Sequence, residues 1–249
     1  MLHQENMAVS DYDQMASEYA RHRHVNPVVL QKLANSGLHP NSNVLEVGCG
    51  TGNYLAGLEA AVSCWCWGID PSRQMLAKAR ARSRSICFMI ERAEKMNLPQ
   101  GFFDLVFSVD VIHHLTDQAA YFREAYRVVR PGGKVCTVTE SEDLIRRRSL
   151  HSAYFPETVE IDLARYPRIN EVRRWMECAG FVNLVKEEAA FAYRRSDMQA
   201  FRDKAFSVLH LISEEAFLRG IARMEQDLCS GPIPCVWHYV MLWGTKPRQ

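Results

Sequence analysis

The chain has 249 residues and a net charge of +1 at neutral pH, a balance that removes any overall electrostatic case for a nucleic-acid partner. No apolar run reaches the roughly 18 residues of a bilayer span, and the N-terminal MLHQENMAVSDYDQ lacks the apolar centre of a secretory signal, so a cytoplasmic protein with no membrane partner is expected. The eight cysteines contain no CxxC pair and read as reduced thiols rather than as a metal site or a disulfide framework.

Elements alternate along most of the chain. Ser10 is placed to cap a helix over about 10–22, and Pro27 opens a second that Gly37 closes. Asn43 to Val47 reads as a first strand, followed by a glycine-rich turn and a helix to about Ala61. Trp65 to Asp70 is a second strand, and Ser72 caps the helix after it. Ile86 to Ile90 and Phe103 to Val109 are strands three and four. Asp117 caps a helix that Pro131-Gly132-Gly133 breaks before a fifth strand, Val135 to Thr139. Residues 141–167 read as an insertion, and Arg146-Arg147-Arg148 within them as a solvated run. A helix near 170–179, a strand from Phe181 to about Lys186, and helical stretches at about 197–211 and 214–228 follow. The strand Trp237 to Gly244 is apolar on both faces, which predicts a core position inside the sheet. Repeated βα units predict an α/β fold. We expect a doubly wound, mostly parallel seven-stranded sheet with an added helical lid. One structural domain then comprises N-terminal helices (1–42), a binding core (43–140), and sheet completion with lid insertions (141–249).

VLEVGCGTGN, Val44 to Asn53, is the segment richest in chemical information. A phosphate-binding P-loop requires Gly-Lys-Ser/Thr, which is absent. A dinucleotide turn requires GxGxxG, whereas the spacing here is Gly48-x-Gly50-x-Gly52, and Glu46 two residues upstream disfavours phosphates. A carboxylate there suits a cationic ligand. S-adenosylmethionine (SAM) meets these demands: a sulfonium, an ammonium, a ribose diol and no phosphate. Asp70 in WGIDPS, at the end of strand two, is placed to accept both ribose hydroxyls. In open α/β sheets such ligands lie beyond the carboxyl ends of the strands.

Together VLEVGCGTGN, GIDPSRQML, RAEKMNLP, FDLVFSVDVIHHL and EAYRVVRPGGKV, over about residues 43–139, resemble class I SAM-dependent methyltransferases of the "type 11" domain group. The upstream Tyr19-x3-Arg23-x3-Pro27 is similar to a feature of trans-aconitate methyltransferases. The resemblance implies a role for each matching residue. Gly48 and Gly50 line the methionine moiety, with Glu46 nearby. Asp70 holds the ribose, Met75 lies against the adenine, and Ala93 offers its backbone N–H to that ring. Val109 and Asp110 sit under the sulfonium, and Tyr19 and Arg23 close over the methionine carboxylate as a cover. Arg92 departs from the pattern: relatives carry an acid or threonine there, and arginine cannot accept a bond from the adenine amino group.

The expected activity is transfer of the SAM methyl group to an O, N, C or S atom of a small molecule. A macromolecular acceptor often goes with an (N/D)PP(Y/F) motif after strand four, where this chain has Asp110-Val111-Ile112-His113. A SAM-binding module without turnover is the rival from another class. Asp110, His113, Glu140 and Ser141 are expected to face the acceptor, with one of His113 and His114 turned to the cleft, His113 as base or orienter, and residues 141–167 and 197–228 as a roof. Neither the acceptor nor the oligomeric state follows from the sequence.

Overall fold

The structure is a computed structural model that describes residues 21–22 and 24–248. Tyr19, Arg23, and all but the last two residues of the helix expected over 10–22 lie outside the described residues. Seven strands form one sheet: β1 (Asn43–Val47), β2 (Trp65–Ile69), β3 (Cys87–Met89), β4 (Phe103–Val109), β5 (Val129–Thr139), β6 (Val182–Arg195) and β7 (Ile233–Thr245). Their order is β3-β2-β1-β4-β5-β7-β6, and β7 alone runs antiparallel, to both β5 and β6. The helices between them are α1 (Pro27–Ala34), α2 (Asn53–Val62), α3 (Arg73–Arg82) and α4 (Gln118–Val128). After β5 come α5 (Glu142–Arg146), α6 (His151–Tyr154), α7 (Thr158–Arg165), α8 (Ile169–Ala179), α9 (Gln199–Arg202) and α10 (Glu214–Cys229).

Side-chain caps set several helix starts where the sequence places them. Met75 N–H donates to Ser72 Oγ at 3.1 Å and Ala120 N–H to Asp117 Oδ1 at 2.8 Å, each satisfying a donor that a helix end leaves unpaired. β4 is buried on both faces, as a central parallel strand requires. One apolar layer, with Leu45, Val106, Phe122 and Met176, covers one side of the sheet; another, with Val44, Leu58, Phe107 and Met241, covers the other.

β7 occupies the interior position expected of it, but both late strands are longer than expected. β5 ends at Thr139, level with Val240 of β7 and Glu188 of β6. β6 and β7 continue as a two-stranded ribbon from that level to the pair Arg195 and Ile233. EEAA at 187–190 has low strand propensity, and pairing with β7 overrides it. The helix expected over 197–211 is instead α9 and a 3₁₀ turn, Ser207–His210, interrupted near Lys204, whose φ is +46°. At the other end of the insertion, α4 stops at Val128 and β5 begins at once. Pro131 to Gly133 is a bulge within the strand rather than a turn before it.

The added segments carry a third core of their own. Tyr154, Phe155, Phe201, Phe217, Met224 and Ile233 pack together away from the two sheet layers. Gly220 of α10 permits this: a Cβ there would lie 2.2 Å from the Phe155 ring.

Candidate active site

The glycine turn leaves β1 with Gly48 at φ +68°, and a Cβ at that position would lie 2.5 Å from Val111 Cγ2. Only glycine fits both the backbone angle and the approach of the β4 end. Asp70, 9% exposed, ties this turn to β2: Gly50 N–H donates to Oδ2 and Ser72 N–H to Oδ1, each at 2.9 Å. A carboxylate accepts about four hydrogen bonds.

Gly48, Gly50, Asp70, Met75, Ala93 and Val109 line one continuous cavity of about 670 Å³ with Asp110 and His113, within the usual range for small-molecule sites. Glu46 differs from the expectation. It is buried within β1, paired in register between Gly68 and Phe107, and does not line the cavity. Arg92 does line it, beside Glu94 at 3.6 Å. Burial, with Glu46 and Asp70 nearby, pushes the Cys49 thiol well up and keeps it protonated and unreactive.

Just beyond β4, Asp110 has φ +57° and accepts a hydrogen bond from the Tyr239 hydroxyl. His113 sits on the 3₁₀ turn Ile112–His114 and is buried. Its ring stacks on Tyr166, with centroids 3.9 Å apart and planes 16° from parallel. Both His113 and His114 line the cavity, where one was expected, and so does Glu140. Ser141 does not; its hydroxyl accepts from Leu144 N–H at 3.3 Å and caps α5. Leu144, Ser149, Asp162, Tyr166 and Phe206 form the far wall, whereas no residue of α10 reaches it. The start of β7, expected to be core, contributes Trp237, His238 and Tyr239 to the lining.

The run Arg146-Arg147-Arg148 is not uniformly solvated. Arg147 is exposed and pairs with Asp143, but Arg148 is largely withdrawn from solvent, its side chain 11% exposed, and grips Glu140 through both oxygens. Arg148 also reaches Asp162 at 2.5 Å, and Arg165 joins Asp162 at 3.1 Å and Ser207 Oγ at 3.2 Å. The chain of charges therefore runs from the end of β5 through α7 to the second 3₁₀ turn. Sequence reading missed it because only Asp162 and Arg165 are neighbours on one helix, whereas Glu140, Arg148 and Asp162 come from separate elements with no shared periodicity. Burial pushes the Glu140 carboxyl up to about 7, with Arg148 opposing the rise and Asp110 and Asp162 adding to it. Burial also raises the Tyr166 hydroxyl, and the same three carboxylates reinforce that rise.

Residues 45–137 match the methyltransferase domain family. The chain is 29% identical over 155 residues to phosphoethanolamine N-methyltransferase 1 of Arabidopsis thaliana, covering 61% of this chain and 31% of that protein. It is 28% identical over 202 residues to demethylmenaquinone methyltransferase of Anoxybacillus flavithermus, covering 71% and 85%. The chain thus spans about a third of the plant relative but most of the bacterial one. A putative methyltransferase from an antibiotic biosynthesis pathway of Anabaena variabilis shares the fold, with TM-score 0.71, 20% identity, and 90% and 98% of the two chains covered. With the sheet order above, these matches give the chain the fold of the class I methyltransferases, residues 45–137 matching the methyltransferase domain family.

Proposed function

We propose that the protein transfers the methyl group of SAM to a small-molecule acceptor held in the cavity between the glycine turn and the roof. The observation that carries this reading is the continuity of the cavity, from Gly48 and Asp70 on one side to His113, Glu140 and Tyr166 on the other. SAM supplies a methyl group already activated on a sulfonium. The residues present suit it: Gly48 admits close approach, Asp70 is an acceptor for the ribose hydroxyls, and Met75 and Ala93 flank the place of the adenine. Asp110, with Val109, adds negative charge under the sulfonium; Tyr19 and Arg23 remain assigned to the methionine carboxylate. Proximity and orientation then supply most of the rate, and a base matters where the acceptor must lose a proton. His113, fixed by its stack on Tyr166, is the group we assign to that proton or to aligning the acceptor.

Relatives act on phosphoethanolamine and demethylmenaquinone, which differ greatly in polarity, so the acceptor of this chain is defined by its own roof. A cavity of about 670 Å³ suits a small molecule better than a polymer, which needs a long basic groove. No described helix is long and apolar enough to cross a membrane. His113→Ala tests the assignment. We expect methyl transfer to an identified acceptor to fall roughly 10²-fold or more with SAM affinity held within a factor of about two. Unchanged turnover removes His113 from the mechanism.

A further inference from the structure

Four arginines line the cavity: Arg92, Arg147, Arg148 and Arg195. Arg148 is held by Glu140 and Asp162. Arg147 and Arg92 are mostly solvated and lie beside Asp143 and Glu94. Arg195 differs from all three. Its side chain is 18% exposed, and its nearest carboxylate, Asp197, stands 3.7 Å away with 69% of its own side chain in solvent. Its buried Nε has no hydrogen-bond partner among the described residues. The Tyr193 and Phe201 rings flank the guanidinium at 5.9 and 5.6 Å. They orient it, but they bring no counter-charge. A guanidinium removed from water without a bonded anion is costly, and its five donors in a planar fork match a carboxylate or phosphate.

The fold puts this group on the cavity lining at the far end of the β6–β7 ribbon. Arg195 closes the β6–β7 ribbon, seven residues beyond Glu188, which is level with the end of β5. That is a contour of about 24 Å along the strand. Tyr193, on the same face two residues earlier, brings a hydroxyl to the same place. Burial raises its pKa, and the Arg195 guanidinium beside it opposes the rise. Both residues line the cavity.

We propose that Arg195, with the Tyr193 hydroxyl, binds an anionic group of the acceptor, a carboxylate or a phosphate, at the end of the molecule remote from the methylated atom. The inference rests on the methyltransferase reading for the identity of the ligand as acceptor, though not for the existence of the anion site. It makes the acceptor an elongated acid, because the ribbon separates Arg195 from the strand ends where Asp110 and His113 sit. The cavity lining also includes Leu150, Phe206, Val236 and Trp237, which suit a hydrophobic body.

The test titrates inorganic phosphate and acetate into the full-length protein saturated with S-adenosylhomocysteine, for wild type, Arg195→Met and Arg195→Lys. We expect one or both anions to bind the wild type and to bind Arg195→Met at least tenfold more weakly, with Arg195→Lys between. The preferred anion tells phosphate from carboxylate. S-adenosylhomocysteine affinity should be the same in all three. A second measurement uses the wild type alone. Phenylglyoxal modification, mapped by mass spectrometry, should be slowed at Arg195 by the bound anion and unaffected at the exposed Arg219. Equal anion affinity in wild type and Arg195→Met, or no anion binding and no protection of Arg195, overturns the site. Failure of S-adenosylhomocysteine to bind overturns the methyltransferase reading instead, and the anion titration and protection then decide Arg195 on the cofactor-free protein.

Discussion

Asp70 holds the fold together at the glycine turn and, on our reading, is also placed to serve the ligand. Its two oxygens take backbone N–H groups from Gly50 and Ser72, fixing the glycine turn against the start of α3, and the carboxylate still faces the cavity. Asp70→Ala is therefore expected to weaken SAM binding beyond the loss of the ribose bonds. One charge-assisted hydrogen bond is worth about 1.5–3 kcal/mol, or roughly tenfold to over a hundredfold in affinity. Calorimetry that finds unchanged affinity refutes the assignment. The position of Asp70 on the cavity was legible in the sequence because it depends on one strand end and one turn, both marked by local residue types. Glu46 was legible as an acid near the turn, but the strand's alternation turns it inward, away from the lining. Arg148 was not legible, because its partners come from other elements. A run of three arginines reads as solvated until the fold shows that its third member points back to β5.

At the scale of elements, the Glu140–Arg148–Asp162–Arg165 chain fastens the inserted helices to the end of β5 and presents Tyr166 to His113. Its charge balance gives a pH signature. Glu140 has an ordinary value of 4.5 and is pushed up to about 7 in the fold. Between those values the native state binds more protons than the unfolded state, so this group makes stability fall as pH rises from about 4.5 to about 7. Glu140→Gln should remove that component, roughly 1–3 kcal/mol across the window. Denaturant midpoints of both proteins on either side of the window measure it. The same slope in Glu140→Gln contradicts the assignment. The strands and capped helices around the glycine turn were readable because their signals are local: caps, turn glycines and apolar periodicity. The ribbon of β6 and β7 was not, since 187–190 is a poor strand sequence held extended by its partner.

Across the whole molecule the cavity has a floor whose residues sit in short motifs and a roof whose residues do not. The roof folds on a separate apolar core, so its sequence records packing more than chemistry, and only the fold brings Tyr166, Phe206, Arg195 and Trp237 to one cavity. That is why the family was legible and the acceptor side was not. The central claim is that this cavity carries out methyl transfer to a small molecule. Incubation of the pure protein with methyl-labelled SAM and the dialysable fraction of a cell extract tests it most directly. The account predicts that S-adenosylhomocysteine forms and that the label moves to a dialysable product. SAM that binds without any S-adenosylhomocysteine formation, or label that reaches only the non-dialysable fraction when whole extract is supplied, would contradict it.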